Sequence, residues 1–109
     1  MKLLFVCSGN RLRSPTAEAV FSTLDGFEAT SAGTNSDADN VISSDLLAWA
    51  DIIFVMENIH RAKLNERFRP LLKGKKLVVL DIPDRYGYMD PELVRVLKTK
   101  VLRHLKTEA

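Results

Sequence analysis

Lys2-Leu3-Leu4-Phe5-Val6-Cys7-Ser8-Gly9-Asn10-Arg11-Leu12-Arg13-Ser14-Pro15 decides the fold and much of the chemistry. Leu3–Val6 is a continuous apolar run, as in a parallel strand buried on both faces. It delivers Cys7, the sole cysteine, to a short polar loop. Ser14 and Pro15 then stand in the order of a helix cap and first turn. A helix is predicted over Pro15–Leu24, closed by Asp25-Gly26. A strand, a polar loop and a helix N-terminus make an anion cradle, because loop N–H groups and the helix dipole converge on one point. A thiolate at that point is placed to attack phosphorus.

Each loop residue has a reason to be there. A phosphomonoester is a dianion, so the loop must offer donors without blocking the nucleophile. Gly9 allows a tight approach of backbone to oxygen, and Asn10 tolerates left-handed geometry. Arg13 can fork two N–H groups onto two phosphate oxygens. These positive terms favour the thiolate of Cys7 over its thiol. Ser14 caps the helix or donates to the sulfur as it becomes a leaving group. The candidate phosphate-binding set is Ser8, Gly9, Asn10, Arg11, Leu12 and Ser14, with Ser8 and Leu12 the more structural members. The plain alternative, a small buried cysteine at a strand end, does not account for the C-x5-R-[ST] spacing between a strand and a helix.

Further along, apolar runs alternate with helix-like segments. Strands are predicted at Leu3–Val6, Glu28–Ser31, Ile52–Met56 and Leu77–Leu80. Helices are predicted at Ser44–Ala50, at Asn58–Leu72 with Pro70 interrupting and Gly74 closing it, and at Pro91–Lys106. In the last, Leu93, Leu97, Val101 and Leu105 share one face and Asp90 is the N-cap. Alternating β and α with right-handed crossovers gives an α/β three-layer sandwich, a four-stranded parallel sheet with helices on both faces. Ligands bind such sheets beyond the carboxyl ends of the strands. Cys7 stands at one such end; Asp81 and Asp84 follow another.

With 109 residues the chain reads as a single domain spanning 1–109. A net charge of +2, with no block of like charges, gives no reason to expect nucleic acid as a partner. No apolar run reaches membrane-spanning length, and the N-terminus lacks a signal-peptide pattern. One free thiol fits a reducing cytoplasm. His60 and His104 have no second ligand at metal spacing, so no metal or other cofactor is expected, and both read as packing or solvated. Trp49 reads as core cover. Arg61, Lys63, Arg67 and Arg69 read as a solvated helix face, or less readily as a docking patch.

The stretch Val6–Pro15 resembles the V-C-x-G-N-x-C-R-S-P signature of the low-molecular-weight protein tyrosine phosphatases, departing from it at Leu12. Thr30-Ser31-Ala32-Gly33-Thr34 is similar to that family's second-strand S-A-G-T. Ala50–Met56 is similar to its third strand, and Asp81-Ile82-Pro83-Asp84-Arg85-Tyr86 to its I-P-D-P-Y acid loop. The resemblance implies Cys7 as nucleophile, Arg13 as phosphate clamp, Ser14 as a helper of the thiolate, and Asn10 with Ser31 as the network holding the loop. It implies Asp84 as general acid and then base, acting without a metal; Asp81, directly after the strand, is the alternative acid. Tyr86 and Tyr88 could flank a phosphotyrosine ring or cover the sheet edge. The implied partner is a phosphotyrosine-containing protein or another phosphomonoester, with inorganic phosphate as product.

The departures from the family carry expectations of their own. Residues between Thr34 and Ser43 stand where members of the family usually have a longer loop and helix, which implies a more open cleft. Leu12 leaves no neighbouring thiol to trap oxidised Cys7 as a disulfide. Arg11 either meets a second acidic group on the substrate or faces solvent. Three other readings use the same scaffold. An arsenate reductase would need an external thiol. A protein-arginine phosphatase must accept a cationic leaving group beside Arg11. A phosphoryl carrier with phosphocysteine would gain nothing from an aspartate poised to activate water.

Overall fold

Leu3, Phe5 and Cys7 point to one side of the first strand and Leu4 and Val6 to the other, and all five are buried. That alternation sets the architecture, since both faces of this strand require a cover. The computed structural model describes residues 1–106 and supplies it. The elements run β1 (Lys2–Cys7), α1 (Arg13–Phe21), β2 (Glu28–Gly33), α2 (Ser44–Trp49), β3 (Ile52–Val55), α3 (Asn58–Leu72), β4 (Lys76–Val79) and α4 (Pro91–Lys106). The strands form one parallel sheet in the order β2-β1-β3-β4. On one face Leu3, Phe5, Ile52 and Phe54 pack with Ala17, Val20 and Phe21 of α1 and with Leu93, Leu97, Val101 and Leu105 of α4. On the other face Leu4, Val6, Ile53 and Val55 pack with Leu47 of α2 and Leu64 of α3. The predicted three-layer sandwich is the observed one.

The elements lie where the sequence puts them, with small shifts at their ends. β2 runs on to Gly33, so the S-A-G-T stretch is strand almost to its end. α1 begins at Arg13 and ends at Phe21, shorter than expected at its far end. Ser14 is therefore not its cap: Leu12 takes that position without a side-chain cap bond, and the Ser14 hydroxyl faces Cys7. α3 carries its break at Phe68, whose φ of −133° is non-helical, two residues before Pro70. Proline denies its own N–H to the helix and crowds the preceding turn, so the distortion falls just upstream. Asp90 does cap α4, its Oδ1 accepting from the Glu92 N–H at 2.9 Å.

Two connections shape the cleft. Residues 34–43 form no helix and lie as a strap across the loop that follows β1. The N–H groups of Thr34, Asn35 and Asp39 donate to the carbonyls of Cys7, Ser8 and Gly9 at 2.9, 3.0 and 3.2 Å. The strap starts from Gly33, where the chains come so close that a Cβ would lie 2.4 Å from the Ser8 carbonyl oxygen and 2.6 Å from the Ala38 Cβ. Only glycine fits there. The second connection, after β4, turns sharply at Asp81, whose φ of 55° is left-handed. This turn sends Ile82 into the core and leaves Asp84 exposed toward Cys7.

Candidate active site

At the carboxyl end of β1, a cleft of about 250 Å³ is lined by Cys7, Ser8, Gly9, Arg11, Leu12, Arg13, Asn35 and Asp84. Among the described residues, no group accepts from the backbone N–H groups of Ser8–Leu12. A run of free N–H groups ahead of a helix is an anion nest. Asn10 makes the turn possible with a φ of 55°.

Behind the nest, a directed chain of hydrogen bonds leads to Cys7. Asn10 Nδ2 donates to Ser14 Oγ and to Ser31 Oγ, both at 2.9 Å. Ser31 Oγ in turn donates to Glu18 Oε1 at 2.5 Å. Ser14 Oγ lies 2.9 Å from Cys7 Sγ. Ser14 accepts from Asn10, and its own proton has two acceptors in reach, the Cys7 sulfur at 2.9 Å and the Ala32 carbonyl at 3.5 Å. Asn10, Ser14 and Ser31 are all buried, so this chain is dry and directional.

Arg13 is 3% exposed, and a buried guanidinium requires a partner. Its Nη1 donates to Glu57 Oε2 at 2.5 Å and to the Ile82 carbonyl at 2.8 Å. Glu57 offsets the charge, and Ile82 ties Arg13 to the 81–90 loop. Nε and Nη2 make no hydrogen bond among the described residues, and theirs is the edge a bidentate phosphate contact uses. Asp84 Oδ1 stands 3.7 Å from Arg13 Nε.

The two candidate acids part company here. Asp84 lines the cleft with Cys7, whereas Asp81 lines a separate depression with Glu57, Asn58, Ile59 and Pro83. Tyr86 does not line the cleft: it is buried in the core beside α1 and α4, and its hydroxyl accepts from Arg85 Nη2 at 3.2 Å. Tyr88 is 57% exposed and does not line the cleft. Arg11 lines the cleft with its side chain 54% exposed, and it is paired within the chain. Its Nε donates to Asp39 Oδ1 at 3.2 Å and its Nη2 to the Asp37 carbonyl at 2.8 Å, stapling the strap to the loop. Arg67, expected on a solvated face, donates to the Thr34 carbonyl at 2.7 Å.

Glu57, His60 and Thr16 were not singled out as site residues by the sequence reading. His60 is fully buried; its Nδ1 accepts from the Glu57 N–H at 3.0 Å, and its Nε2 lies 2.9 Å from Ser8 Oγ. Burial, then the nearby Arg13 guanidinium, push its pKa down from 6.5 to about 4, against the opposing pull of Glu57. The signal was present: Glu57-x-x-His60 has the spacing of a capping box at the start of α3. Thr16 Oγ1 donates to the Leu12 carbonyl at 2.7 Å and accepts from the Met89 N–H at 3.0 Å, joining α1 to the far end of the acid loop. Among the described residues no group of His, Cys, Asp or Glu is placed to hold a metal, and no helix is long and apolar enough to cross a membrane.

Residues 2–48 match the family model of low molecular weight phosphotyrosine protein phosphatase. Solved structures similar to the chain span nearly all of it. The YwlE arginine phosphatase from Geobacillus stearothermophilus is 25% identical, with a TM-score of 0.77 over 98% of this chain and 94% of its own. A protein tyrosine phosphatase from Entamoeba histolytica is 25% identical, with a TM-score of 0.76 over 99% and 98%. The tyrosine phosphatase Wzb from Escherichia coli K30, in complex with phosphate, is 20% identical with a TM-score of 0.79 over 99% and 98%, a likeness of fold. No curated protein sequence matches the chain.

Proposed function

We infer that this chain, which belongs with the low-molecular-weight phosphatases by its match over residues 2–48 and by its fold throughout, hydrolyses phosphotyrosine in proteins through a cysteinyl-phosphate. The observation that carries the reading is one cleft holding Cys7, Asp84 and Arg13 around a nest of unpaired N–H groups, with Asp84 3.7 Å from Arg13 Nε. The nest and Arg13 hold the phosphoryl oxygens. The Cys7 sulfur attacks phosphorus, the Sγ–P bond forms as the P–O bond breaks, and Asp84 gives its proton to the departing aryl oxygen. Ser14 donates to the sulfur throughout. Water then attacks phosphorus while Asp84 takes its proton, and the Sγ–P bond breaks to release inorganic phosphate.

Asp84 at the cleft favours hydrolysis over a stable phosphoryl carrier, and Cys7, as the sole thiol, leaves arsenate reduction dependent on an external one. A cytoplasmic setting, where that thiol stays reduced, belongs to the same reading. A protein-arginine phosphatase is the second reading, favoured by the likeness to the arginine phosphatase of G. stearothermophilus. A phosphotyrosine peptide, a phosphoarginine peptide and a small aryl phosphate, offered in parallel to wild type and Cys7→Ser, test both. The account expects turnover of the aryl phosphate and the phosphotyrosine peptide, lost in Cys7→Ser. Preferential turnover of phosphoarginine would replace the first reading with the second.

A further inference from the structure

His60 is a costly choice for a cap. Glutamate or glutamine at the third position of a helix meets the capping N–H just as well, without burying an imidazole. The hydrogen bonds show what the ring adds. The Glu57 backbone N–H can only donate, so Nδ1, which accepts it, carries no proton. The single proton of the neutral ring is therefore on Nε2, and the 2.9 Å contact is an Nε2–H donating to Ser8 Oγ. Ser8 follows the nucleophile and lines the cleft. With one lone pair taken by His60, its rotor is set and its own O–H is the group left to face the phosphoryl oxygens.

We propose that His60 is a positioning residue that acts through Ser8, turning the Ser8 hydroxyl into a fixed donor to the bound phosphoryl group. The inference rests on the phosphatase reading above. Burial of the ring keeps it neutral at ordinary pH, so this orientation holds across the working range. A backbone N–H on one side and a loop hydroxyl on the other leave the imidazole no alternative tautomer. The first turn of α3 is thus coupled to the phosphate loop across the sheet end.

The test separates the cap from the positioning role. His60→Gln keeps a group that can reach back to the Glu57 N–H, and so preserves the cap, but cannot also hold Ser8. Wild type, Ser8→Ala, His60→Gln and the double variant are compared on a small aryl phosphate, with inorganic phosphate as competitive inhibitor and thermal unfolding alongside. The expected result is a roughly tenfold fall in kcat/KM and a matching rise in the phosphate inhibition constant for each single variant, about the worth of one hydrogen bond to a charged group. The double variant should be no worse than Ser8→Ala. Wild-type kinetics in His60→Gln, or losses that multiply in the double variant, would overturn the proposal. Should His60→Gln not fold, Ser8→Ala decides: an unchanged phosphate inhibition constant overturns it and a tenfold rise supports it. Wild type inert toward the aryl phosphate would instead defeat the phosphatase reading.

Discussion

The two loops that meet over Cys7 are built in opposite ways. The phosphate loop, Ser8–Leu12, is held from every side: Asn10 beneath it, the strap across it, His60 and Arg11 at its edges. The acid loop, 81–90, hangs on a few backbone groups. Ile82 is anchored to Arg13 and Met56, Met89 to Thr16, and the carbonyls of Leu80 and Asp81 to Lys100. Asp84 itself is 62% exposed. A group that stabilises developing charge works best pre-fixed. A group that must give a proton to one species and take it from another needs reach more than rigidity. On the proposed function, binding falls to the fixed first loop and turnover to the exposed second one.

Substitutions can break that comparison. The largest effect is expected for Cys7→Ser, with turnover of an aryl phosphate down at least about 10⁴-fold in a steady-state assay. Next comes Asp84→Ala, expected to cost about 10²–10³ in kcat on a phosphotyrosine peptide. Asp81→Ala should stay within about twofold, because its side chain lines a different depression; equal losses would show that the acid loop presents either carboxylate.

The phosphate loop should respond in stability as well as rate. Asn10→Ala leaves the buried hydroxyls of Ser14 and Ser31 without their donor and puts alanine at a φ of 55°. A loss of about 2–3 kcal/mol in urea unfolding is expected, together with weaker phosphate binding. His60 supplies the pH dependence. Between pH 6.5 and about 4 the unfolded chain takes up a proton that the folded imidazole refuses. Stability should therefore fall with decreasing pH across that window by roughly 3 kcal/mol from this group, and level off below it. His60→Gln, compared by urea unfolding at pH 7 and pH 4.5, should lose that part of the acid sensitivity. The smallest effect is expected for Thr16→Val, which frees Met89 at a cost of about 1 kcal/mol. That loss should appear as faster amide exchange in the acid loop, with the phosphate loop unchanged.

Much of this was legible in the sequence, and unevenly so. Continuous apolar runs gave the strands, because buried parallel strands have no polar face to conceal. The loop was legible because anion binding constrains its backbone and its charge at once. Ser14 was misread as a cap because serine before proline looks the same whether it opens a helix or occupies its first turn. Tyr86 was misread because aromatic residues near a cleft serve walls and cores alike, and only packing distinguishes them. From α3 and its cap, distant in sequence, His60 reaches Ser8, Glu57 reaches Arg13 and Arg67 reaches Thr34 of the strap, and no local pattern reports contacts of that kind. The spacing Glu57-x-x-His60 was the one hint, and it speaks of a helix start rather than of the serine beyond it.

The most direct test of the central claim is a burst experiment on Asp84→Ala with an activated aryl phosphate, whose leaving group needs no proton. The account predicts that Cys7 is phosphorylated at once, releasing one equivalent of phenol, and that slow hydrolysis follows because no group activates water. Mass spectrometry of the quenched protein should find the phosphate on Cys7. A burst-free time course, with Cys7 unmodified and turnover surviving in Cys7→Ser, would contradict it.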